Sequence, residues 1–103
     1  HIKLKEQVID FHAINQQEKI PQTGWNNLFN LKSPLFNNID ENSFVYFVHS
    51  FYCELSEYTI ATCNYIHPFS AALQKDNFYA TQFHPEKSAD IGNHILQNFL
   101  HIA

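Results

Sequence analysis

The sequence predicts an α/β fold that is strand-rich and closes with one helix packed on a sheet. Three observations support this prediction. Two runs of β-branched and aromatic residues are typical of strands, and a later pair of such runs separated by a short turn sequence is typical of a hairpin. The last segment has apolar residues repeated every four positions, which indicates an amphipathic helix.

The first half of the chain has weaker patterns. Residues Ile2 to Phe11 are loosely apolar and indicate an extended segment, whereas Gln16 to Gly24 is polar and turn-rich. Ser33 and Pro34 predict a short helical turn, because proline suits the first position of a helix. Residues 37–42 are expected to form a loop.

The second half predicts four strands. Ser43 to Ser50 forms a mostly buried strand, and Tyr58 to Tyr65 forms the next one. Phe69 to Leu73 and Phe78 to Phe83 are expected to pair as a hairpin. The intervening Lys75-Asp76-Asn77 suits a tight turn, since Asp and Asn hydrogen-bond their own backbone there.

The final helix is predicted to begin near Ser88 or Asp90, either of which can cap it, and to end near His101. Its apolar stripe consists of Ile91, Ile95 and Phe99, widened by Leu96 and Leu100.

Composition restricts the class of function. Hydrophobic residues make up 45% and aromatic residues 16% of the 103 positions, which indicates a packed core. The six Lys and Arg are scattered and the net charge is −4, so no basic stripe is available for nucleic acid. The longest apolar runs are about five residues, against the roughly 20 that a membrane helix needs. Two cysteines form no disulfide framework, so a cytoplasmic location is expected.

The sharpest local motif is His84-Pro85-Glu86, between the last strand and the last helix. Residues two apart on an extended backbone project to the same side, so His84 and Glu86 are expected to face each other. A carboxylate beside an imidazole selects its tautomer and stabilises the imidazolium formed during proton transfer. The odd-numbered residues of this strand point to the other face, so Tyr79, Thr81 and Phe83 are expected to pack inward. From the tripeptide alone, a surface His and Glu beside a helix start remains an alternative.

Neither cysteine has the setting of a nucleophile. Cys63 lies mid-strand and is expected to be a buried, inert thiol, whereas Cys53 is placed in a loop and is the better candidate. Reactive cysteines usually sit on an elbow flanked by glycine, and neither Gly24 nor Gly92 flanks a cysteine. The histidines and cysteines also lack the spacing of metal ligands, so no metal is expected.

Several segments, in order along nearly the whole chain, resemble one family. Residues 81–88, Thr-Gln-Phe-His-Pro-Glu-Lys-Ser, resemble the His-Glu signature of class I, triad-type glutamine amidotransferases. Three further segments, Pro21 to Asn26, Tyr46 to Tyr52 and Pro68 to Phe78, make the chain similar to the glutaminase subunits of imidazole glycerol phosphate synthases, from histidine biosynthesis.

The resemblance implies a flavodoxin-like mixed sheet flanked by helices. It implies that residues 1–103 are the C-terminal part of one amidotransferase domain, with the nucleophilic cysteine in an absent N-terminal half. The family hydrolyses glutamine to glutamate and ammonia through a Cys-His-Glu triad, without a cofactor. The ammonia is channelled to a (β/α)8-barrel cyclase subunit.

The resemblance also assigns roles to residues. His84 is the expected general acid/base and Glu86 its orienting carboxylate. Glutamine binding is expected from Ser50 and Phe51. Residues expected at the cyclase interface are Trp25, Tyr46 and Lys87. Ile66 departs from the family, since close relatives usually carry glycine there.

Three interpretations follow. The first is the glutaminase half of imidazole glycerol phosphate synthase, inactive as this fragment alone. The second is another class I amidotransferase subunit, for example one serving anthranilate or GMP synthesis. The third is a truncated, non-catalytic interaction module. The chain is expected to be ordered only when it is bound to another polypeptide. This polypeptide is its missing half, a second copy of itself or the cyclase.

Overall fold

The computed structural model of the protein describes residues 17–102, except for the side chains of residues 17–21, 50 and 51. These residues form a strand-rich structure that ends in one helix, as the sequence predicts. The strands are β1 (Gln17–Asn27), β2 (Phe44–Cys53), β3 (Thr59–Tyr65), β4 (His67–Lys75) and β5 (Phe78–Thr81). The helix is α1 (Ala89–Ile102), and 3₁₀ helices occupy Pro34–Phe36 and Pro85–Lys87. The predicted extended segment Ile2 to Phe11 lies outside the described residues.

The strands form one sheet in the order β1-β2-β4-β3, with β5 also paired to β4. Every pairing between described strands is antiparallel. The parallel pairing implied by a mixed sheet is therefore not found between the described strands. Antiparallel neighbours can be joined by short turns, and β3, β4 and β5 follow one another in this way.

The sheet divides where β2 and β4 separate. These two strands pair only at Cys53 and Ser70. After β5 the chain leaves β4, and the Gln82 N–H donates the last hydrogen bond to that side, to the Ala71 carbonyl at 2.8 Å. The next residue, Phe83, forms an antiparallel bridge with Phe47 of β2. The segment after β5 thus crosses from one strand to the other.

Aromatic side chains fill the core beneath this crossing. Phe47 is fully buried and lies edge-to-face with Phe69 and Phe83, with ring centroids 5.8 and 5.9 Å apart. Edge-to-face geometry suits the ring quadrupoles and adds to the hydrophobic gain of burial. The helix α1 covers the core with the fully buried Ile95 and the partly buried Ile91. As predicted from its parity, Phe83 packs inward, and so do Tyr79 and Thr81.

The predicted turn-rich loop at Gln16 to Gly24 is wrong, because the described part of it belongs to β1. The polar residues of β1 are stabilised by pairing with β2 rather than by their own strand propensity. Gln22 is buried and its Oε1 lies 2.9 Å from His49 Nε2, so its polar side chain has a partner. The other described strands, the helical turn at Pro34 and the final helix lie where predicted, although β2 continues to Cys53 and β5 ends at Thr81.

Ile66 forms the tight link between β3 and β4. Its neighbours Tyr65 and His67 are paired with each other, so one residue must reverse the chain. Ile66 does so with φ 70°, and its side chain is 75% exposed. A residue with a Cβ is strained in this left-handed region, and a β-branched residue more than most. The glycine expected from the family at this position has a physical reason.

We predict that Ile66→Gly stabilises the protein. Relief of left-handed strain, about 1–2 kcal/mol, exceeds the roughly 0.5–1 kcal/mol that glycine loses through its greater freedom when unfolded. The expected net gain in unfolding free energy is about 0.5–1 kcal/mol, measured by thermal or urea denaturation. Ile66→Val keeps the branched Cβ and is the matched control, with little expected change. A lower Tm for the glycine variant would contradict the strain assigned to Ile66.

Candidate functional site

The crossing strand brings His84 and Glu86 together. The His84 N–H donates to the Tyr46 carbonyl at 2.9 Å, which ties the residue to β2. Its Nδ1 lies 2.9 Å from Glu86 Oε2. The sequence predicted this approach from an extended backbone. The structure instead places Pro85 and Glu86 in a 3₁₀ turn, which curls the carboxylate back to the ring.

The two ring nitrogens of His84 have different surroundings. With Nδ1–H donating to Glu86, the neutral ring presents Nε2 as its proton acceptor. Nε2 lies 3.4 Å from the Val48 carbonyl, a long and weak contact. The side chain is 28% exposed, so Nε2 is within reach of a reacting group brought to this face. The arrangement suits a general base whose tautomer is set by a carboxylate.

The pKa of the Glu86 carboxyl lies below its ordinary value. Partial burial raises the pKa, but a hydrogen bond from its own backbone N–H, the hydrogen bond to His84 and charge attraction to that ring contribute to lowering it by more. An ionised carboxylate stabilises the imidazolium that His84 becomes when it accepts a proton.

Ser88 fixes the base of this turn. Its hydroxyl donates to the His84 carbonyl at 2.6 Å and accepts from the Tyr46 N–H at 2.9 Å. The side chain is 1% exposed. The turn that carries His84 is therefore attached to β2 through both its backbone and a buried side chain.

The His84 ring lies on the outer face of β2, opposite the core. Phe47 and Phe83 pair and point inward, so the adjacent Tyr46 and His84 point outward by strand alternation. This face also carries exposed or partly exposed apolar side chains, which we call the outer apolar strip: Trp25, Phe44, Tyr46 and Val48. Trp25 and Tyr46 are cross-strand partners with ring centroids 5.7 Å apart. The His-Glu pair thus borders an exposed apolar surface.

Comparison with known proteins shows the family of the chain. Residues 3–103 match the family Glutamine amidotransferase class-I. The chain belongs to this family. The class-I amidotransferase match includes every described element, together with the His84–Glu86 pair.

Within the family, the chain is similar to curated HisH subunits. The chain is 58% identical over 92 residues to the imidazole glycerol phosphate synthase subunit HisH of Bacteroides fragilis, covering 89% of this chain. It is 52% identical to the HisH of Shewanella sediminis over 88% of the chain, and 50% identical to that of Buchnera aphidicola over 81%. The chain spans about half the length of these relatives: 47%, 42% and 43% respectively.

A solved structure supports the fold. The crystal structure of a GMP synthase protein from Thermoplasma acidophilum aligns with a TM-score of 0.71, over 88% of this chain and 49% of that chain. Its sequence identity is 22%, so the likeness concerns the amidotransferase fold alone.

The other predicted site residues lie close to the His84–Glu86 pair, either in the sequence or in the sheet. Ser50 and Phe51 continue β2 two and three residues beyond Val48, and their side chains are outside the described set. Lys87 ends the 3₁₀ turn with an exposed side chain. The structure also brings Trp25 and Tyr46 into contact with each other, beside the His84 turn.

The prediction that Cys53 lies in a loop is wrong. Cys53 is the last residue of β2 and is fully buried, with Gln82 Nε2 3.4 Å from its Sγ. The reason is that β2 runs past Ser50 to pair with both β1 and β4. At about 3.3 Å per residue, Cys53 lies about 16 Å along the strand from Val48, which His84 contacts. It is too far away to act as the partner of His84.

Cys63 is buried as predicted. Burial raises the pKa of its thiol to about 12, although hydrogen bonds from Gln22 and the Asn64 backbone act against the rise. Such a thiol stays protonated at neutral pH and is a poor nucleophile. In the described part of the chain, no three acidic, histidine or cysteine side chains are grouped as metal ligands. No described helix is long and apolar enough to cross a membrane.

Sequence reasoning missed two residues that build the site. Ser88 was interpreted only as a helix cap, whereas its hydroxyl bonds Tyr46, 42 residues away in sequence. Gly92 was considered only as a neighbour of cysteines. In the structure a Cβ on Gly92 would overlap the Pro85 carbonyl oxygen and lie 2.8 Å from Ser88 Cβ. The lone glycine in a helical pattern was the available signal for this close approach.

We predict that Gly92→Ala disrupts the His84 turn. The added methyl must displace the Pro85 backbone, and overpacking of this kind costs about 1–3 kcal/mol. Unfolding free energy should fall by that amount in denaturation experiments. Asn93→Ala is the matched control, since Asn93 is exposed on the same helix and alanine favours helix. If both variants were equally stable, the close contact at Gly92 would not exist.

Proposed function

We propose that this chain carries the base half of the glutaminase of an imidazole glycerol phosphate synthase, in histidine biosynthesis. The observation that carries the proposal is the 2.9 Å contact between His84 Nδ1 and Glu86 Oε2, with Nε2 turned to the outer face. Identities of 50–58% to HisH subunits support this class over other class-I amidotransferases. The 22% identity to the GMP synthase protein gives no comparable support.

The geometry suggests a role for each group. A cysteine thiol supplied by the rest of the domain gives its proton to His84 Nε2 and attacks the side-chain carboxamide of glutamine. His84 then returns that proton to the departing nitrogen, so ammonia leaves and a thioester remains. Water activated by the same ring hydrolyses the thioester to glutamate. Glu86 keeps the ring oriented and stabilises its charged form in each transfer.

Glutamine is proposed to bind along β2, beyond Val48. Ser50 and Phe51 follow the residue whose carbonyl contacts His84, so their backbone groups lie in the direction from which substrate would reach Nε2. No cofactor enters the proposed reaction, because the proton transfers and the acyl transfer need only side chains and water.

The partner is proposed to be a (β/α)8-barrel cyclase that receives the ammonia. Trp25 is 52% exposed and Val48 is 43% exposed on the outer apolar strip. Exposed aromatic side chains are typical anchors of protein interfaces. Lys87, exposed beside Glu86 in the turn, is proposed to form an ion pair with the partner. The rest of the domain, or a second copy of the chain, is proposed to cover the remaining exposed surface.

His84→Ala is predicted to abolish glutamine-dependent synthesis in the complete protein assembled with its cyclase. A general acid/base contributes about 10²–10⁴-fold, so kcat with glutamine should fall by that factor. Synthesis driven by added ammonia should persist, because it bypasses the glutaminase. Glu86→Gln should lower kcat less, since Glu86 acts through His84.

The control for His84→Ala is His101→Ala, which removes an exposed imidazole from the last turn of α1. Its glutamine-dependent rate should stay within about twofold of the wild type, as expected for an exposed position without a catalytic role. Near-normal rates for His84→Ala would remove His84 from the triad.

The 103-residue chain alone is predicted to release no ammonia from glutamine. Cys53 and Cys63 are both fully buried, and neither lies beside the His84–Glu86 pair. Ammonia release at saturating glutamine should equal the blank in a coupled glutamate dehydrogenase assay. Release that disappeared on Cys53→Ala would show that Cys53 is a nucleophile. The same chain remaining inert when joined to its complementary half would favour a non-catalytic interaction module.

A further inference from the structure

We propose that Ser88 is a positioning residue that holds His84 in place for proton transfer. The inference rests on the proposed glutaminase function, in which His84 is the general acid/base. It concerns a residue that contacts neither substrate nor the ring nitrogens. Its action is on the backbone that carries the imidazole.

The Ser88 hydroxyl both donates and accepts a hydrogen bond. Its proton goes to the His84 carbonyl at 2.6 Å, and its oxygen accepts the Tyr46 N–H at 2.9 Å. At 1% exposure, no bulk water reaches the side chain to replace either bond. Removing the hydroxyl would therefore leave the Tyr46 N–H buried without that acceptor.

These bonds close a ring with the backbone. The His84 N–H donates to the Tyr46 carbonyl at 2.9 Å, while Ser88 joins the Tyr46 N–H to the His84 carbonyl. His84 is thus attached to the same residue of β2 from both of its peptide groups. Two attachments fix its rotation as well as its distance, whereas one would leave the turn free to pivot. A pivot of this kind would move the imidazole relative to any group held on β2.

A capping role does not account for these contacts. Ser88 directly precedes α1, and a cap would accept a hydrogen bond from an N–H two or three residues further on. The hydroxyl instead bonds residues 84 and 46, outside the helix. The helix begins with the Ser88 backbone carbonyl, which accepts from the Gly92 N–H at 3.0 Å. The Ser88 side chain therefore stabilises the His84 turn and does not cap α1.

The test is Ser88→Ala in the complete protein assembled with its cyclase. A displacement near 1 Å at a reacting group can cost about 10²-fold, so kcat with glutamine should fall about 10–100-fold. KM for glutamine should change less than about twofold, because Ser88 does not touch the substrate. Synthesis from added ammonia should be unchanged.

Ser70→Ala is the matched control. Ser70 is another fully buried serine, and its Oγ donates to the Glu54 carbonyl at 2.8 Å, away from the His84 turn. It should lose stability but keep kcat. A kcat for Ser88→Ala within about twofold of the wild type, or an equal kcat loss in Ser70→Ala, would overturn the positioning role. His84→Ala, assayed in parallel, separates the two proposals, since its full activity would instead refute the glutaminase role of His84.

Discussion

The hydrogen bonds between the Tyr46 backbone and the segment from His84 to Ser88 are the constraint on which the site depends. They join the chain after β5 to β2, whereas β2 and β4 pair at one position only. Phe47 and Phe83 form a bridge and both point into the core. Because side chains alternate along a strand, the adjacent His84 ring must lie on the face opposite the aromatic core. A single strand crossing thus defines the face on which the His84–Glu86 pair lies.

The same crossing explains the character of the surface around the pair. Strand alternation that buries Phe47 also leaves Phe44 and Val48 exposed, and it places His84 beside them. A polypeptide covering this face would exclude water from the imidazole and carboxylate. Their mutual attraction would then strengthen, since the effective dielectric falls when water is removed. Covering this face would therefore change the strength of the His84–Glu86 contact.

The sequence predicts those features that depend on local pattern. β-branched and aromatic runs locate β2 and β3, turn residues locate the hairpin of β4 and β5, and four-residue periodicity locates α1. The His-Pro-Glu motif also predicts a pair in contact, although the contact comes from a 3₁₀ turn and not from the extended backbone expected. Features that depend on distant partners were missed. β1 is polar and becomes a strand through pairing with β2, and Cys53 is buried by strands on both sides.

The hydroxyl bond from Ser88 to Tyr46 closes a loop of 42 residues. Contacts of large sequence separation form late, since the chain entropy of loop closure must be lost before they contribute. α1 and the β4–β5 hairpin are local and need no such closure. A partly folded population would therefore retain helix and hairpin signals while lacking a correctly placed imidazole. For this protein, circular dichroism would overstate the fraction of molecules with a correctly placed His84, and a probe of the contact between residues 46 and 88 would report that fraction.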